Sequence, residues 1–365
     1  MSGPVVSGSG SGRSLGVVLP FWLDRPDLEA VRIAERAAAH SFERVWCGEM
    51  ATFDAFALAS AIGQAASPSR LTIGPLAVGV RSPVALALGL SSVATLAGCP
   101  VDLALGASSP EIVSAWHDRP WSHAPERTRE TVAALRDLLA GDRAAHQGVH
   151  VRTRGFRLRA PQPGTRIGVA AFGARMTRVA AEVADDVVLN LVAPEQVAKV
   201  RAMVDAARPA GSPRARLAVW VACALNPGPA AHRQLAGQLA VYLRPPGYGE
   251  MFTELGFGDL VTLARSNVGR AELSRAIRPE LAASVGAIGS PAEIADRLAQ
   301  YFAAGADHIG IVPVTAQDAD GAEVLAAVAA ARDQLLAESA ESAESAETAG
   351  TNGAGDATGP AQVRG

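Results

Sequence analysis

Three clusters in this 365-residue chain carry side chains able to do chemistry. The densest is Trp116-His117-Asp118-Arg119-Pro120-Trp121. An imidazole titrating near neutrality can give or take a proton. Aromatic planes beside a guanidinium suit a flat anionic ligand. A single histidine more often caps or packs locally; the neighbours of His117 are what set it apart. Glu49 closes a segment that reads as a buried strand, so it is either paired with an arginine, the commoner case, or poised for proton transfer. Phe172-Gly173-Ala174-Arg175 opens a helical stretch. Free N–H groups and the helix dipole favour an anion there, and Arg175 adds a charged donor. The plain alternative is a helix-entry turn. His146, His150 and His308 read as loop or surface residues.

These clusters must be held by the elements before them. Short apolar runs at 15–20, 44–47, 71–78, 101–105, 166–171, 187–190, 217–225 and 309–314 are each followed by a stretch of helical period. That alternation predicts parallel strands joined by helices. Eight repeats favour a closed (β/α)₈ TIM barrel over an open doubly wound sheet. In such a barrel the residues just after each strand share one mouth. Those are Phe21 and Trp22; Glu49; Leu76 and Ala77, leading to Arg81; Ala107 and Ser108, leading to Trp116 and His117; the 172–175 cluster; and Asn190. Two connections are long. Residues 142–163 contain an alternating stretch, Val149–Arg159, that predicts a small hairpin. Residues 226–287, between the seventh and eighth strands, hold a helix at 230–243 and are placed to be a lid. Residues 1–13, rich in Gly and Ser, read as a disordered tail, 14–337 as the barrel domain, and 338–365, with its Glu-Ser-Ala repeats, as a low-complexity tail.

Composition removes several classes. A formal charge of −3 lacks the basic excess of a nucleic-acid binder. No unbroken apolar stretch suits a bilayer, and no secretory signal opens the chain. Three scattered cysteines, Cys47, Cys99 and Cys223, suit free thiols in a reducing cytoplasm. Zinc spacing, a P-loop and a Gly-x-Ser-x-Gly elbow are missing, so no metal site is expected. Lys199 is the only lysine, on a helix whose solvated face it should occupy.

Taken in order, several motifs resemble the luciferase-like oxidoreductases. They are Arg44-Val45-Trp46-Cys47-Gly48-Glu49, Arg70-Leu71-Thr72-Ile73-Gly74, Val101 through Ser109, Ala184-Asp185 with Val187 through Asn190, and Ala287-Ile288-Gly289-Ser290-Pro291. Gly106-Ala107-Ser108-Ser109-Pro110 followed by Trp116-His117 is closest to the branch that uses the deazaflavin coenzyme F420. The resemblance implies a planar ring over a bulge in the third strand, with a non-proline cis peptide at Leu76–Ala77. It also implies a cofactor phosphate at Phe172, Gly173, Ala174 and Arg175, a further contact from Asn190, and often a homodimer. Leu76, Ala77, Ala107 and Ser108 would bind cofactor; Phe21, Trp22, Trp116 and Arg119 would bind substrate. Two departures matter: Met50 stands where many relatives have a catalytic His, and Ser109 where many have Glu. Glu49 and His117 become the catalytic candidates.

The implied activity is an F420H2-dependent reductase acting on an activated C=C, C=N or C=O bond of a small-molecule or peptide substrate, for instance a dehydroamino acid in a modified peptide. The alternative is an FMN-dependent monooxygenase. A third reading is a barrel without catalysis that binds a partner.

Overall fold

The first, seventh and last barrel strands begin at Ser14, Arg216 and His308, and all three lie side by side, which closes the sheet. The computed structural model describes residues 12–336 except Leu23, Met50, Pro246 and Asn267. The readings for the two tails therefore fall largely, and that for Met50 wholly, outside the described residues. In chain order the elements are β1 (Ser14–Val18), α1 (Glu29–Ala39), β2 (Arg44–Cys47), α2 (Ala55–Ala66), β3 (Leu71–Ala77), α3 (Pro83–Ala97) and β4 (Val101–Gly106). A π-helical turn, Glu111–Trp116, precedes α4 (Ala124–Ala140). Then come β5 (Ile167–Ala170), α5 (Gly173–Val183), β6 (Asp186–Asn190), α6 (Pro194–Ala207) and β7 (Arg216–Leu225). The long connection holds α7 (Pro229–Tyr242), α8 (Tyr248–Glu254), α9 (Gly258–Arg265), α10 (Arg270–Ala276) and α11 (Pro279–Val285). The chain ends with β8 (Gly286–Gly289), α12 (Pro291–Ala303), β9 (His308–Pro313) and α13 (Ala322–Ala330).

All strand pairings are parallel, running from β1 through β6 to β7, then β9, and back to β1. This is the expected eight-stranded closed barrel. Its strands are β1–β7 and β9, the eight apolar runs read from sequence. The short β8 was not foreseen. It pairs with the C-terminal half of β7, Ala222–Leu225, beyond the part that β6 uses. The hairpin read from the alternating stretch 149–159 is present but shifted: its first arm precedes that stretch, with Gly155 N–H reaching Ala144 O at 2.8 Å and Thr153 N–H reaching His146 O at 3.1 Å.

Buried strands such as Ser14–Val18 and Arg44–Cys47 are covered on both faces, so they read as apolar runs rather than alternating ones. Helix starts are set by local capping. The Asp54 carboxylate accepts from the N–H groups of Phe56 and Ala57, and Ser82 caps α3 with Pro83 at its first position. Inside the barrel, bulk is balanced against glycine. Trp46 and Trp220 meet edge to face at 5.5 Å. A Cβ on Gly310 would lie 3.0 Å from the Trp220 ring, and one on Gly16 would lie 2.6 Å from Arg44 O.

The N-terminal end of the barrel holds a buried polar layer. Arg44, fully buried, lies 3.1 Å from Asp186 and 3.4 Å from Asp102. Burial opposes its charge, but the two carboxylates outweigh burial and raise its pKa. Here the reading of His308 as a loop or surface residue is corrected: it is fully buried. Strand β9 begins at His308 itself, one residue before the apolar run. Trp46 Nε1–H, which can only donate, meets His308 Nε2 at 3.0 Å. The other ring nitrogen then carries the proton and donates to Ser14 Oγ at 2.8 Å. Burial, helped by the charges of Arg44, Arg216 and Arg166, holds His308 well below the usual histidine range.

Candidate active site

At the opposite, C-terminal mouth, one residue too many in β3 shapes the surface. Ile73 pairs with Leu103 and Leu76 with Leu105, so β3 bulges between them. Gly74 has φ +117°, and a Cβ there would lie 2.2 Å from Ala104 O, so only glycine fits. The expected bulge is therefore present. The expected cis peptide at Leu76–Ala77 is corrected: the cis bond falls two residues earlier, at Gly74–Pro75, and is prolyl. Proline at 75 has a tertiary amide, for which the cis form costs far less.

Beside the bulge lies a cavity of about 320 Å³. Pro75, Leu76 and Ala77 line it from β3, Ser108, Trp116 and His117 from the segment after β4, and Glu49 and Asp54 from the loop after β2. Six of the residues singled out from sequence thus share one space: Glu49, Leu76, Ala77, Ser108, Trp116 and His117. Ser108 turns in with φ +57°. Ala107 packs behind it, and its carbonyl accepts from Trp121 Nε1 at 2.9 Å. His117 ends the π-helical turn, exposed, with no hydrogen-bond partner among the described residues. Arg119 lines neither cavity described here; its guanidinium reaches only Asp118 O, at 3.4 Å.

Glu49 takes the paired form. Arg81 Nη1 and Nη2 lie 2.7 and 2.5 Å from its two oxygens, and Ala55 N–H adds 3.2 Å. Arg81 also reaches Asp54 at 2.7 Å. Burial pulls the Asp54 carboxyl upward, but the N–H groups of Ala57 and Phe56 and the Arg81 charge outweigh it and set its pKa below the usual value. One guanidinium therefore ties the loops after β2 and β3 together.

A second, larger cavity of about 600 Å³ opens over β1, β6, β7 and β9. Phe21 and Trp22 line it, as does Asn190. Trp22 is largely buried, its indole N–H held by Pro313 O at 2.9 Å. One face of α7, in the long connection, lines this cavity: Ala230, Arg233, Gln234, Gly237, Gln238, Val241 and Tyr242 recur at helical spacing. Sequence reasoning missed this face because its residues mix charged, amide and small types without an apolar stripe. It also missed Trp220, at the floor, which sits inside an otherwise apolar strand.

The 172–175 cluster begins α5 as expected. No side chain caps that helix, Gly173 has φ +72°, and a Cβ on Gly173 would meet nothing within 4 Å. Arg175 is exposed and paired with Glu126 at 2.7 Å. Phe172 packs against Tyr248 of α8 with centroids 4.1 Å apart and the rings tilted by 38°, and Tyr248 meets Tyr242 at 4.9 Å. Burial raises both phenols, and a hydrogen bond with Asn190 works against it. Asn190 and Tyr242 both line the larger cavity.

The family model described as luciferase-like monooxygenase matches residues 24–308, and the chain belongs to that family. A protein of Mycobacterium tuberculosis named as a coenzyme F420-dependent oxidoreductase is 26% identical over 36% of this chain and 38% of its own length. The match thus spans well under half of that relative. The 5,10-methylenetetrahydromethanopterin reductase of Methanolobus tindarius is 24% identical over 63% of this chain and 71% of its own. Among solved structures, the coenzyme F420-dependent tetrahydromethanopterin reductase of Methanopyrus kandleri superposes with a TM-score of 0.71 at 15% identity, covering 87% of this chain and 97% of that one. The FMN-bound oxygenating constituent of 3,6-diketocamphane monooxygenase from Pseudomonas putida gives 0.63 at 14% identity, covering 87% and 96%. At these identities the structures establish the shared barrel. No helix among the described residues is long and apolar enough to cross a membrane.

Proposed function

We propose that this protein is an oxidoreductase that binds a flavin-type cofactor, with F420 as the preferred one, and reduces an activated double bond. The observation that carries the reading is the β3 bulge, which presents Pro75, Leu76 and Ala77 to a cavity also lined by Trp116 and His117. The residues fit the group. A planar ring suits a slot whose apolar lining, Leu76, Ala77, Val80 and Ile112, stands beside polar groups such as Ser108 and His117, and the uncapped, sterically open start of α5 at Gly173 suits its phosphate. Arg175 reaches that phosphate by leaving Glu126, an exposed pair worth little. A reduced deazaflavin, when bound, supplies a hydride from its ring carbon.

The chain's own residues then divide the work. Leu76, Ala77, Ala107 and Ser108 position the ring with Trp116 beside it, and Phe21 and Trp22 bound the space for substrate in the larger cavity. Glu49, with both oxygens held by Arg81, braces the slot. His117, exposed and unbonded, is the group free to move a proton. The lid over the larger cavity excludes water from a substrate held there. A peptide bearing a dehydroamino acid remains a candidate substrate, and a homodimer the candidate assembly.

A second reading, an FMN-dependent monooxygenase, draws on the FMN-bound neighbour of the same fold. Titration of the purified protein with oxidised F420 and with FMN, followed by tryptophan fluorescence, separates the two. Saturable quenching by F420 and none by FMN is expected; the reverse overturns the reading.

A further inference from the structure

The larger cavity carries charges and orphaned polar atoms that no apolar substrate would use. Four charged residues line it: Asp24, Arg25, Arg233 and Arg270. Arg25 is spent on Glu29, at 2.5 Å. Asp24 accepts from the Gln234 amide at 3.0 and 3.2 Å. Arg233 has no ion pair or hydrogen bond among the described residues. Arg270 has no carboxylate partner either; its Nη2 donates only to Gly237 O, at 3.0 Å. It reaches that carbonyl across a bare stretch of α7, where a Cβ on Gly237 would meet nothing within 4 Å. Two guanidinium groups at the rim are therefore available to an anion, against one carboxylate already engaged.

Deeper in, two buried polar atoms lack partners. Trp220 Nε1–H is a donor and Gln238 Oε1 an acceptor, and both residues line the cavity. Leaving such atoms unpaired is costly, which a ligand carrying the complementary pair would offset. A secondary amide is that pair: its C=O accepts from the indole and its N–H donates to the glutamine. Phe21, Val241 and Val312 supply apolar wall between rim and floor.

We propose that this cavity binds a carboxylic acid that also carries an amide and an apolar body, with the carboxylate at Arg233 and Arg270 and the amide at Trp220 and Gln238. This deepens the proposed function, on which it rests only for giving the smaller cavity to the cofactor. The single charge of a carboxylate matches the net single positive charge that the two free arginines and Asp24 leave.

The test is calorimetric titration of the full chain, with and without F420, using N-acetylphenylalanine and its methyl ester. The acid should bind at least tenfold more tightly than the ester. The double variant Arg233→Ala/Arg270→Ala, altered only at exposed positions, should lose that preference while keeping its affinity for the ester and for F420. Gln238→Leu should weaken acid and ester alike. Equal binding of acid and ester, or binding of neither, overturns the proposal. So does loss of F420 affinity in the double variant, since the arginines would then serve the cofactor. Acid preference in a protein that binds no F420 would sink the cofactor assignment and leave this one standing.

Discussion

Arg81 grips Glu49 end on, with each guanidinium nitrogen facing its own carboxylate oxygen at 2.7 and 2.5 Å, and the same Nη2 reaches Asp54. The pair is only about one-fifth exposed on either side. It joins the loops that follow β2 and β3 and so fixes the width of the smaller cavity.

Arg81→Gln should therefore act on structure and cofactor together. The expected loss is on the order of 2 kcal/mol, the scale of hydrogen bonds to charged groups, with F420 affinity reduced in parallel. His117→Ala, at an exposed position without partners, should leave the melting temperature unchanged. Thermal unfolding and F420 titration of both variants check this. Equal melting temperatures for Arg81→Gln and the parent would show that the clamp is incidental.

The layer at the far end of the barrel makes a different prediction. Asp186 meets Arg44 at 3.1 Å and Arg166 at 2.8 Å. Asp186→Asn keeps the shape but leaves the buried Arg44 charge half-compensated. Removing one partner of a buried pair costs about 3–5 kcal/mol. Urea unfolding should show the midpoint falling with the slope unchanged, while F420 binding at the other mouth of the surviving folded protein is untouched.

His308 links stability to pH. Its folded-state pKa is depressed by burial and by Arg44, Arg216 and Arg166. The unfolded chain therefore binds a proton that the folded barrel refuses. Stability is full above the unfolded histidine value, near 6.5, and is lost as pH falls below it, by up to about 1.4 kcal/mol per pH unit. Denaturant midpoints measured between pH 7.5 and 5 should show this slope, and His308→Gln should flatten it. An unaltered slope in the variant would assign the effect to other groups.

Gly237 sits mid-helix with open space where its side chain would be. Gly237→Ala should stabilise α7 by up to about 1 kcal/mol and reduce ligand affinity in the larger cavity without changing F420 affinity. Melting temperature and the two titrations read both effects. A stabilised protein with unchanged ligand binding would mean that α7 does not contact the ligand.

Much of this was legible before any coordinates. The eight strands announced themselves because parallel barrel strands are buried on both faces and so appear as continuous apolar runs. The smaller cavity was legible for the same reason: once strand ends are located, Glu49, Leu76, Ser108 and His117 must share one mouth. What escaped had weaker signals. Strand β8 is four residues, two of them glycine, with no alternation to read. The burial of His308 depends on strand β9 starting at a polar residue, which an apolar run cannot reveal. The cis bond fell at Pro75, where the local chemistry favours it, not at the position implied by resemblance. Arg233, Gln238 and Trp220 converge only through the packing of α7 over the barrel, a relation between distant segments that spacing along one segment does not encode.

The most direct test of the account is a crystal structure of the full chain grown with oxidised F420. The account predicts the ring against Pro75–Ala77, beneath Trp116 and His117, with the phosphate at the N–H groups that open α5. A ring bound instead in the larger cavity under α7 would contradict it.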